Sequence, residues 1–591
     1  MLTRPARDVD PDEVVEAVET GMVRTGYSDF SLLSLSCSDY LALPAVGVEL
    51  RNRLQDHNVS LSLPSQRIDR FDNNIAHILG GTRQGGLTFA PEAGTQRMRD
   101  IVNKGLTDQE LSAGIETAMR NGWRKVKLYF MIGLPGETDA DVHGIADTVE
   151  RLRFEMRDIG RLELNLTISN FTPKPHTPFQ WHSVSTAEFK RRQGILRQRF
   201  AGMRFLKVNY TDVRLSAMED FIGRGDQRLA PVIESAWRAG AGMDAWFDNI
   251  EHTHGAWCEA IESAGLGGRY RELELGSWAE LQALAPEQRR QRCAEPLPWD
   301  HIDSGVSKQW LQEDLERALE AVVVPDCSFE GCSHCGVCGE GLGHNVVVPP
   351  LPIPAIEPQR KPPSEQLGRL RVRFAKTGEM ALLSHLDLVR MLERALRRSQ
   401  LPVSFTGGFH PLPRLQLALA LPLGAEADSD WLDLSFTQPL QPEVLLQRMA
   451  PLLPSGFELL EAHVVQVHAP ALSQALHSAH WRMTLQPPAG ETLPSEQSCQ
   501  EALGELLGSE ALPLVEQDRQ GRRRCRDLRP LLLDLHWHHW NSQGLEVGLE
   551  TLVQANGRSL KPDQLRQLLS QRLDCELHQN QLRRVALKLA C

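Results

Sequence analysis

Strands and helices alternate through the first 185 residues, and that alternation constrains the fold more than any other feature of this chain. Asp10-Pro11-Asp12-Glu13 opens a helix: Asp10 caps it, Pro11 suits the first turn, and Glu13 stands three residues after the cap. The pattern predicts a strand over Phe30 to Ser36, a helix from about Val46 to Asp56, and further strands at Leu61 to Leu63, Leu87 to Ala90, Lys125 to Ile132 and Leu162 to Ser169. Thr107-Asp108-Gln109-Glu110 is a capping box for a helix that ends at Gly122, and Thr138 to Asp141 repeats the start signal after the next strand. Strands separated by helices of this length pair in parallel, because a parallel return needs a crossover. Five strand-helix units are expected, with a helix first and no strand before it.

The rest of the chain changes character. With 591 residues and 41% hydrophobic content, two to four domains are expected. Residues 1–185 form the α/β part. Residues 186–345 read as a mostly helical extension ending in a cysteine-rich site. Residues 346–366 carry Pro349-Pro350-Leu351-Pro352-Ile353-Pro354 and Pro362-Pro363, the composition of a semi-rigid linker. From residue 367 to 591 an α+β domain is expected. Strand Leu370 to Ala375, helix Ser384 to Arg398, strands across Pro402 to Leu421, strand Trp431 to Phe436 and a helix at Pro442 to Met449 give a ferredoxin-like β-α-β-β-α pattern. Leu531 to Trp540 reads as a strand, and Pro562 to Leu573 as a helix. No internal repeat is visible in the sequence.

Net charge is -12 and the pI about 6.0, which argues against a general nucleic-acid coat protein but leaves room for local basic patches. No run of about 18 apolar residues would span a membrane, and Met1 to Asp12 has no apolar core of a signal peptide, so a cytoplasmic protein is expected. Among eleven cysteines, Cys327, Cys332, Cys335 and Cys338 crowd within a dozen residues, interleaved with Gly331, His334, Gly336 and Gly339. Four thiolates at this spacing suit a tetrahedral zinc or an iron-sulfur cluster, and spacing does not choose between them.

Three successive strand ends carry unusual turns. They are Leu87-Thr88-Phe89-Ala90-Pro91-Glu92-Ala93-Gly94-Thr95, then Met131-Ile132-Gly133-Leu134-Pro135-Gly136-Glu137-Thr138, then Asn170-Phe171-Thr172-Pro173-Lys174-Pro175-His176-Thr177-Pro178-Phe179. The carboxyl ends of parallel strands are where α/β proteins bind ligands, and glycines there permit tight turns. In these motifs and their order the chain resembles the radical S-adenosylmethionine superfamily, in a family with a trailing extension and an associated C-terminal domain.

The resemblance implies a partial TIM-type barrel lacking its first strand. It also implies S-adenosylmethionine and a 4Fe-4S cluster as cofactors, and cleavage to a 5′-deoxyadenosyl radical. By position it places Ser34 and Ser36 at the second strand near the methionine amino group. Glu92 falls at the fourth-strand end near ribose or carboxylate, and Ile132, Gly133, Leu134, Pro135 and Gly136 along the adenine. The family holds its cluster on a C-x-x-x-C-x-x-C loop after the first strand, and no such spacing occurs in these 591 residues. The segment matching Leu2-Thr3-Arg4-Pro5 follows that loop directly in relatives, so a clipped start or a true loss is expected. Longer relatives also carry a cobalamin-binding-type domain ahead of the barrel. The four cysteines would then form an auxiliary zinc or iron-sulfur site.

Arg390, Arg394, Arg397 and Arg398 share one helix face, and Arg522-Arg523-Arg524-Cys525-Arg526 adds a second basic run. Thr406-Gly407-Gly408-Phe409-His410-Pro411 joins two strands as a ligand loop or a wide hairpin. His536, His538 and His539 read as part of a strand. The family's genes often lie near ribonucleases of the E/G type, which implies structured RNA or ribonuclease-associated machinery as partners. The two readings are a radical S-adenosylmethionine enzyme, with RNA among its candidate substrates, and a non-catalytic RNA- or protein-binding module with a degenerate barrel.

Overall fold

A computed structural model describes residues 5–34, 37–54, 59–64, 66–80, 86–276, 280–339, 341–358, 363–407, 411–517, 523–541 and 544–590. The chain divides into two compact units. One contains residues 1–16, 29–53 and 60–357, and the other residues 17–28, 54–59 and 358–591.

In the first unit the expected alternation appears as six parallel strands: β1 (Asp29–Ser31), β2 (Ser60–Ser62), β3 (Leu87–Glu92), β4 (Lys125–Ile132), β5 (Glu163–Asn170) and β6 (Leu206–Tyr210). β1 pairs with β2, and β3 to β6 form a four-stranded parallel sheet in sequence order. The helix predicted from Asp10 is α1 (Pro11–Thr25). The two predicted start signals are real caps. Thr107 and Glu110 close a capping box on α2 (Asp108–Arg120), and Thr138 and Asp141 close one on α3 (Asp139–Glu155). Gly122, just past α2, sits at φ +98°, the left-handed conformation that glycine adopts without penalty.

Two expectations are corrected. β1 stops at Ser31, so Ser34 lies beyond the strand on exposed coil, and Ser36 lies outside the described residues. β6 falls inside the stretch expected to be helical. Five residues are too few for periodicity to show, and the strand exists because β5 offers it an open edge. Around β6 the extension is helical, including α4 (Thr186–Phe200), α5 (Val213–Gly223) and α6 (Lys308–Leu319). The proline-rich segment is docked at its start. Val346 pairs with Arg7, and Asn52 exchanges hydrogen bonds with Ala355 and Glu357.

The second unit has an eight-stranded sheet. Its strands are β7 (Gly368–Lys376), β8 (Leu415–Leu417), β9 (Ala425–Phe436), β10 (Phe457–Val464), β11 (Leu476–Gln486), β14 (Leu532–Asn541), β15 (Gly544–Leu552) and β16 (His578–Leu589). A separate hairpin joins β12 (Pro513–Gln517) to β13 (Arg523–Asp527). The order β10-β7-β9-β16-β11-β15-β14, with β8 also on β9, contains the same arrangement twice. Each half runs strand, helix, two strands, helix, strand. In each, the fourth strand lies beside the first, then the third, then the second. The helices are α7 (His385–Arg398) and α8 (Pro442–Met449) in one half, and α9 (Glu496–Gly508) and α10 (Pro562–Leu573) in the other. The halves join where β16 pairs in parallel with β9 at Ala425 to Ala427. His536, His538 and His539 lie on β14 as expected. The loop around Gly408, Phe409 and His410 lies outside the described residues, as does Arg522.

Candidate functional site

The two faces of the four-stranded sheet differ. Val126, Leu128, Phe130 and Ile132 of β4, and Leu164, Leu166 and Ile168 of β5, are fully buried under the helices. Each contributes about 1.5–3 kcal/mol by leaving water. The alternate residues point to the other face and are only half-buried: Thr88 on β3, Lys127, Tyr129 and Met131 on β4, and Asn165, Thr167 and Ser169 on β5, while a register shift after Phe89 breaks the alternation before Glu92. Register puts them in rows across the sheet, Lys127 beside Asn165, Tyr129 beside Thr167 and Met131 beside Ser169. The Lys127 ammonium donates to the Tyr129 hydroxyl at 2.7 Å and lies 4.6 Å from its ring centre. A filled barrel interior is packed with apolar side chains, whereas this face is polar and partly open. None of these residues was assigned a role from sequence. Their signal was the period-two alternation of polar and apolar side chains in Lys125 to Ile132.

Glu92 ends β3 with φ +69°, a conformation rare for a side chain with a Cβ. Its carboxylate is held by Lys104 at 3.0 Å and stays about a quarter exposed. It is thus more accessible than the buried Ile132 to Pro135 of the next strand end. The turn after β4 is largely closed. Ile132, Gly133, Leu134 and Pro135 are buried, and Leu134 packs with Ala93, Met98 and Ile101. Gly133 has φ +79°, and a Cβ there would meet the Phe189 ring at 2.1 Å, so packing against α4 demands the glycine. Gly136 has φ +76° with ordinary space around it, and its amide donates to Gln282 of the extension.

Two buried carboxylates set this geometry. Glu137 accepts from the Gly133 amide at 2.6 Å and pairs with Arg192 on α4, with both side chains about 2% exposed. Burial pushes the Glu137 carboxyl up to about 7, against the pull of Arg192 and the amide. Asp141 ties the turn after β3 to the turn after β4, accepting from Thr95 (2.6 Å), the Thr138 amide (2.9 Å), the Thr138 hydroxyl (2.7 Å) and Arg97. Burial raises its pKa, but these hydrogen bonds outweigh burial and hold it below the usual value. Asn170 at the end of β5 is committed to Thr211, Ser216 and Gln193.

In the segment after β5, His182 is 3% exposed and neither ring nitrogen has a partner among the described residues. Burial, reinforced by the Arg224 and Arg289 charges, drives its pKa down to about 3. Between about pH 6.5 and 3 the unfolded chain therefore binds a proton that the folded chain refuses, and stability falls as pH falls. From pH 7 to pH 5 this one group is expected to remove about 2 kcal/mol. Urea denaturation at the two pH values should show that loss in the wild type and its absence in His182→Leu. Equal losses in both would refute the assignment.

The four cysteines lie on a loop after α6, and none is in a disulfide. Cys335 is buried with Val306, Trp310, Leu311 and Val337. The His334 amide donates to Cys332 Sγ at 3.3 Å. Trp310 Nε1 donates to the Ser333 carbonyl at 2.8 Å, and Asn345 donates to the carbonyl (3.1 Å) and Sγ (3.5 Å) of Cys327. Positive φ at Gly331, His334 and Gly336 curls the loop. Among the described residues no three His, Cys, Asp or Glu side chains are gathered as a metal cage. The soft donor set is of the kind that thiophilic cations take. The catalytic 4Fe-4S cluster of the superfamily does not fit the residues present, because its three-thiolate run is not among them.

Residues 1–149 match the radical SAM superfamily, and residues 369–562 match a family described as "Uncharacterized protein conserved in bacteria (DUF2344)". Over 230 residues the chain is 28% identical to "Uncharacterized protein MJ0966" of Methanocaldococcus jannaschii, covering 39% of this chain and 49% of that protein. The chain thus spans about half the length of the curated relative it matches. Two solved structures overlap it weakly. One is a Cbf5-Nop10-Gar1 complex, with a TM-score of 0.24 at 10% identity over 38% of this chain and 49% of that one. The other is an archaeal box H/ACA sRNP Nop10-Cbf5 complex, at 0.20 and 9% over 37% and 47%. Among the described residues no helix is long and apolar enough to cross a membrane. The strand-end motifs and the parallel sheet that carries them agree with these matches: the chain joins a first segment similar to the radical SAM superfamily to a later one similar to DUF2344.

Proposed function

We propose that the half-exposed face of β3, β4 and β5 is the S-adenosylmethionine face of a radical enzyme, with Glu92 as its polar anchor. The observation that carries this reading is the contrast between the two sheet faces, with the strained, partly open Glu92 at the carboxyl end of β3. When bound, S-adenosylmethionine would supply a sulfonium, and the electron that cleaves it would have to come from a cluster whose ligand run is not among these residues. The chain's own part is to bind and orient: Lys104 holds the Glu92 carboxylate, and Asp141 locks the two flanking turns.

The four-cysteine loop is an auxiliary metal site in this reading, and the C-terminal unit, read as two ferredoxin-like halves, serves RNA. β13 supports the RNA role, because Arg523, Arg524 and Arg526 all lie on a fully exposed strand. The α7 arginines support it less. Arg394 donates to the Thr25 carbonyl and stacks on Tyr27 at 3.9 Å, and Arg398 donates to the Leu452 carbonyl, so part of that face is packing.

The test is calorimetric binding of S-adenosylmethionine to the purified chain. Saturable one-to-one binding is expected, weakened about tenfold or more by Met131→Trp, which fills the face while leaving the buried side intact. Absence of binding up to about 1 mM, or unchanged binding in the variant, would refute it.

A further inference from the structure

The C-terminal unit contains a cavity of about 640 Å³, within the range of small-ligand sites. Its walls include Trp481 on β11, Leu582 on β16, the loop at Leu419 to Pro422, and Leu528 and Leu531 beyond β13. Its occupancy depends on neither the radical SAM sheet face nor the cysteine loop.

The wall is built from beneath. Arg584 on β16 is fully buried and grips Asp430 through both carboxylate oxygens, with Nε to Oδ1 at 2.8 Å. Its remaining donors reach the carbonyls of Leu419 (2.9 Å) and Ala420 (3.2 Å), and its guanidinium lies 5.0 Å from the Trp481 ring centre. Burying an ion pair costs several kcal/mol of desolvation, and an apolar pair would join the two strands without that cost. What the charged pair adds is a fixed position for the 419–422 loop and for the indole. Trp481 is 5% exposed, and its indole N–H has no partner among the described residues. Such an orphaned donor needs an explanation.

The lip is cationic. Arg558 and Lys561 line the cavity, and among the described residues neither side chain has an ion pair or hydrogen bond. Arg526 approaches Glu516 only at 3.8 Å. The nearby acids are occupied: Asp563 accepts from Arg566 (2.7 Å) and Gln567 (2.8 Å), and Glu516 accepts from Gln564 (2.7 Å). Lys561 also caps α10, whose amino-terminal end favours an anion.

We propose that this cavity binds a nucleoside phosphate, either free or as one unit of a single-stranded RNA. The flat base lies on the apolar wall at Trp481 and the leucines, and the phosphate lies between Arg558 and Lys561. The probes are UMP, AMP, uridine, inorganic phosphate and a short single-stranded RNA, each titrated into the full chain by calorimetry. A nucleotide is expected to bind at least tenfold more tightly than uridine or phosphate. Arg558→Glu with Lys561→Glu should weaken it at least tenfold, and both positions are exposed, so the fold should hold. Ala420→Trp, which puts an indole into the cavity, should abolish binding with an unchanged circular dichroism spectrum. Binding of free nucleotide lost in these variants supports a mononucleotide site, and binding of RNA alone, lost in the same variants, supports the RNA-unit form. The proposal is overturned if no probe binds below millimolar concentration, if phosphate binds as well as UMP and AMP, or if the double variant binds unchanged.

Discussion

Replacing Arg192 by alanine is expected to destabilise the first unit by about 3–5 kcal/mol, because it strands the Glu137 carboxylate in a dry interior. Glu137 also accepts the Gly133 amide, so the turn at the end of β4 should loosen with it. The penalty should depend on pH with a definite sign. A carboxyl whose folded pKa is raised favours the protonated folded state, so its contribution is intact below the unfolded value and is lost as pH rises through the folded one. Burial already holds Glu137 near 7 with Arg192 present. Without the arginine the folded value rises further, so the variant should be hurt more at pH 8 than at pH 5. Replacing both partners by methionine should cost far less than the single change, since the desolvation cost disappears with both charges. Urea denaturation of the three proteins at both pH values measures this, and a penalty below about 1 kcal/mol that ignores pH would contradict the buried-pair account.

The second large effect concerns metal. Protein purified anaerobically without chelator is expected to carry about one equivalent of zinc or one iron-sulfur cluster at Cys327, Cys332, Cys335 and Cys338, and to lose it in Cys335→Ser. Visible absorbance separates the two, since zinc thiolate sites are colourless. Apparent binding energies at structural zinc sites reach about 10–16 kcal/mol in small peptides, so removal should be felt well beyond the loop. Asn345 bonds Cys327 and also accepts from the Ala6 amide at 2.8 Å, while Val346 and Ala6 exchange a backbone bond at 2.8 Å. Chelation should therefore raise hydrogen exchange at residues 6–8 and 345–348 together. Less than about a tenth of an equivalent of metal, with all four thiols titratable, would sink the site.

Some of this molecule is local physics, and that part was legible in the sequence. The capping boxes at Thr107 and Thr138 are satisfied within four residues, so they mark helix starts wherever they occur. The strand at Lys125 to Ile132 follows from its alternation and from the turn chemistry that ends it, and Glu92 stood out for its place at such an end. The crowding of four soft ligands between Cys327 and Cys338 is likewise a property of sequence spacing alone.

What depends on distant partners was not legible. β6 is a strand only because β5 offers an edge, and β1 stops at Ser31, leaving Ser34 on coil. Gly133 is a glycine because Phe189, more than fifty residues away, fills the place of a Cβ. The twofold repeat of the C-terminal unit left no trace in the letters, since a strand order constrains hydrogen-bond partners and burial but not residue identity. The cavity beside Trp481 is likewise a tertiary product. Residues 419–422, 481, 526, 558–561 and 582 acquire a common purpose only when the sheet brings β11 beside β16 and a buried arginine holds the loop above them. Sequence periodicity records which face of an element is buried, and tertiary packing alone decides what that face is buried against.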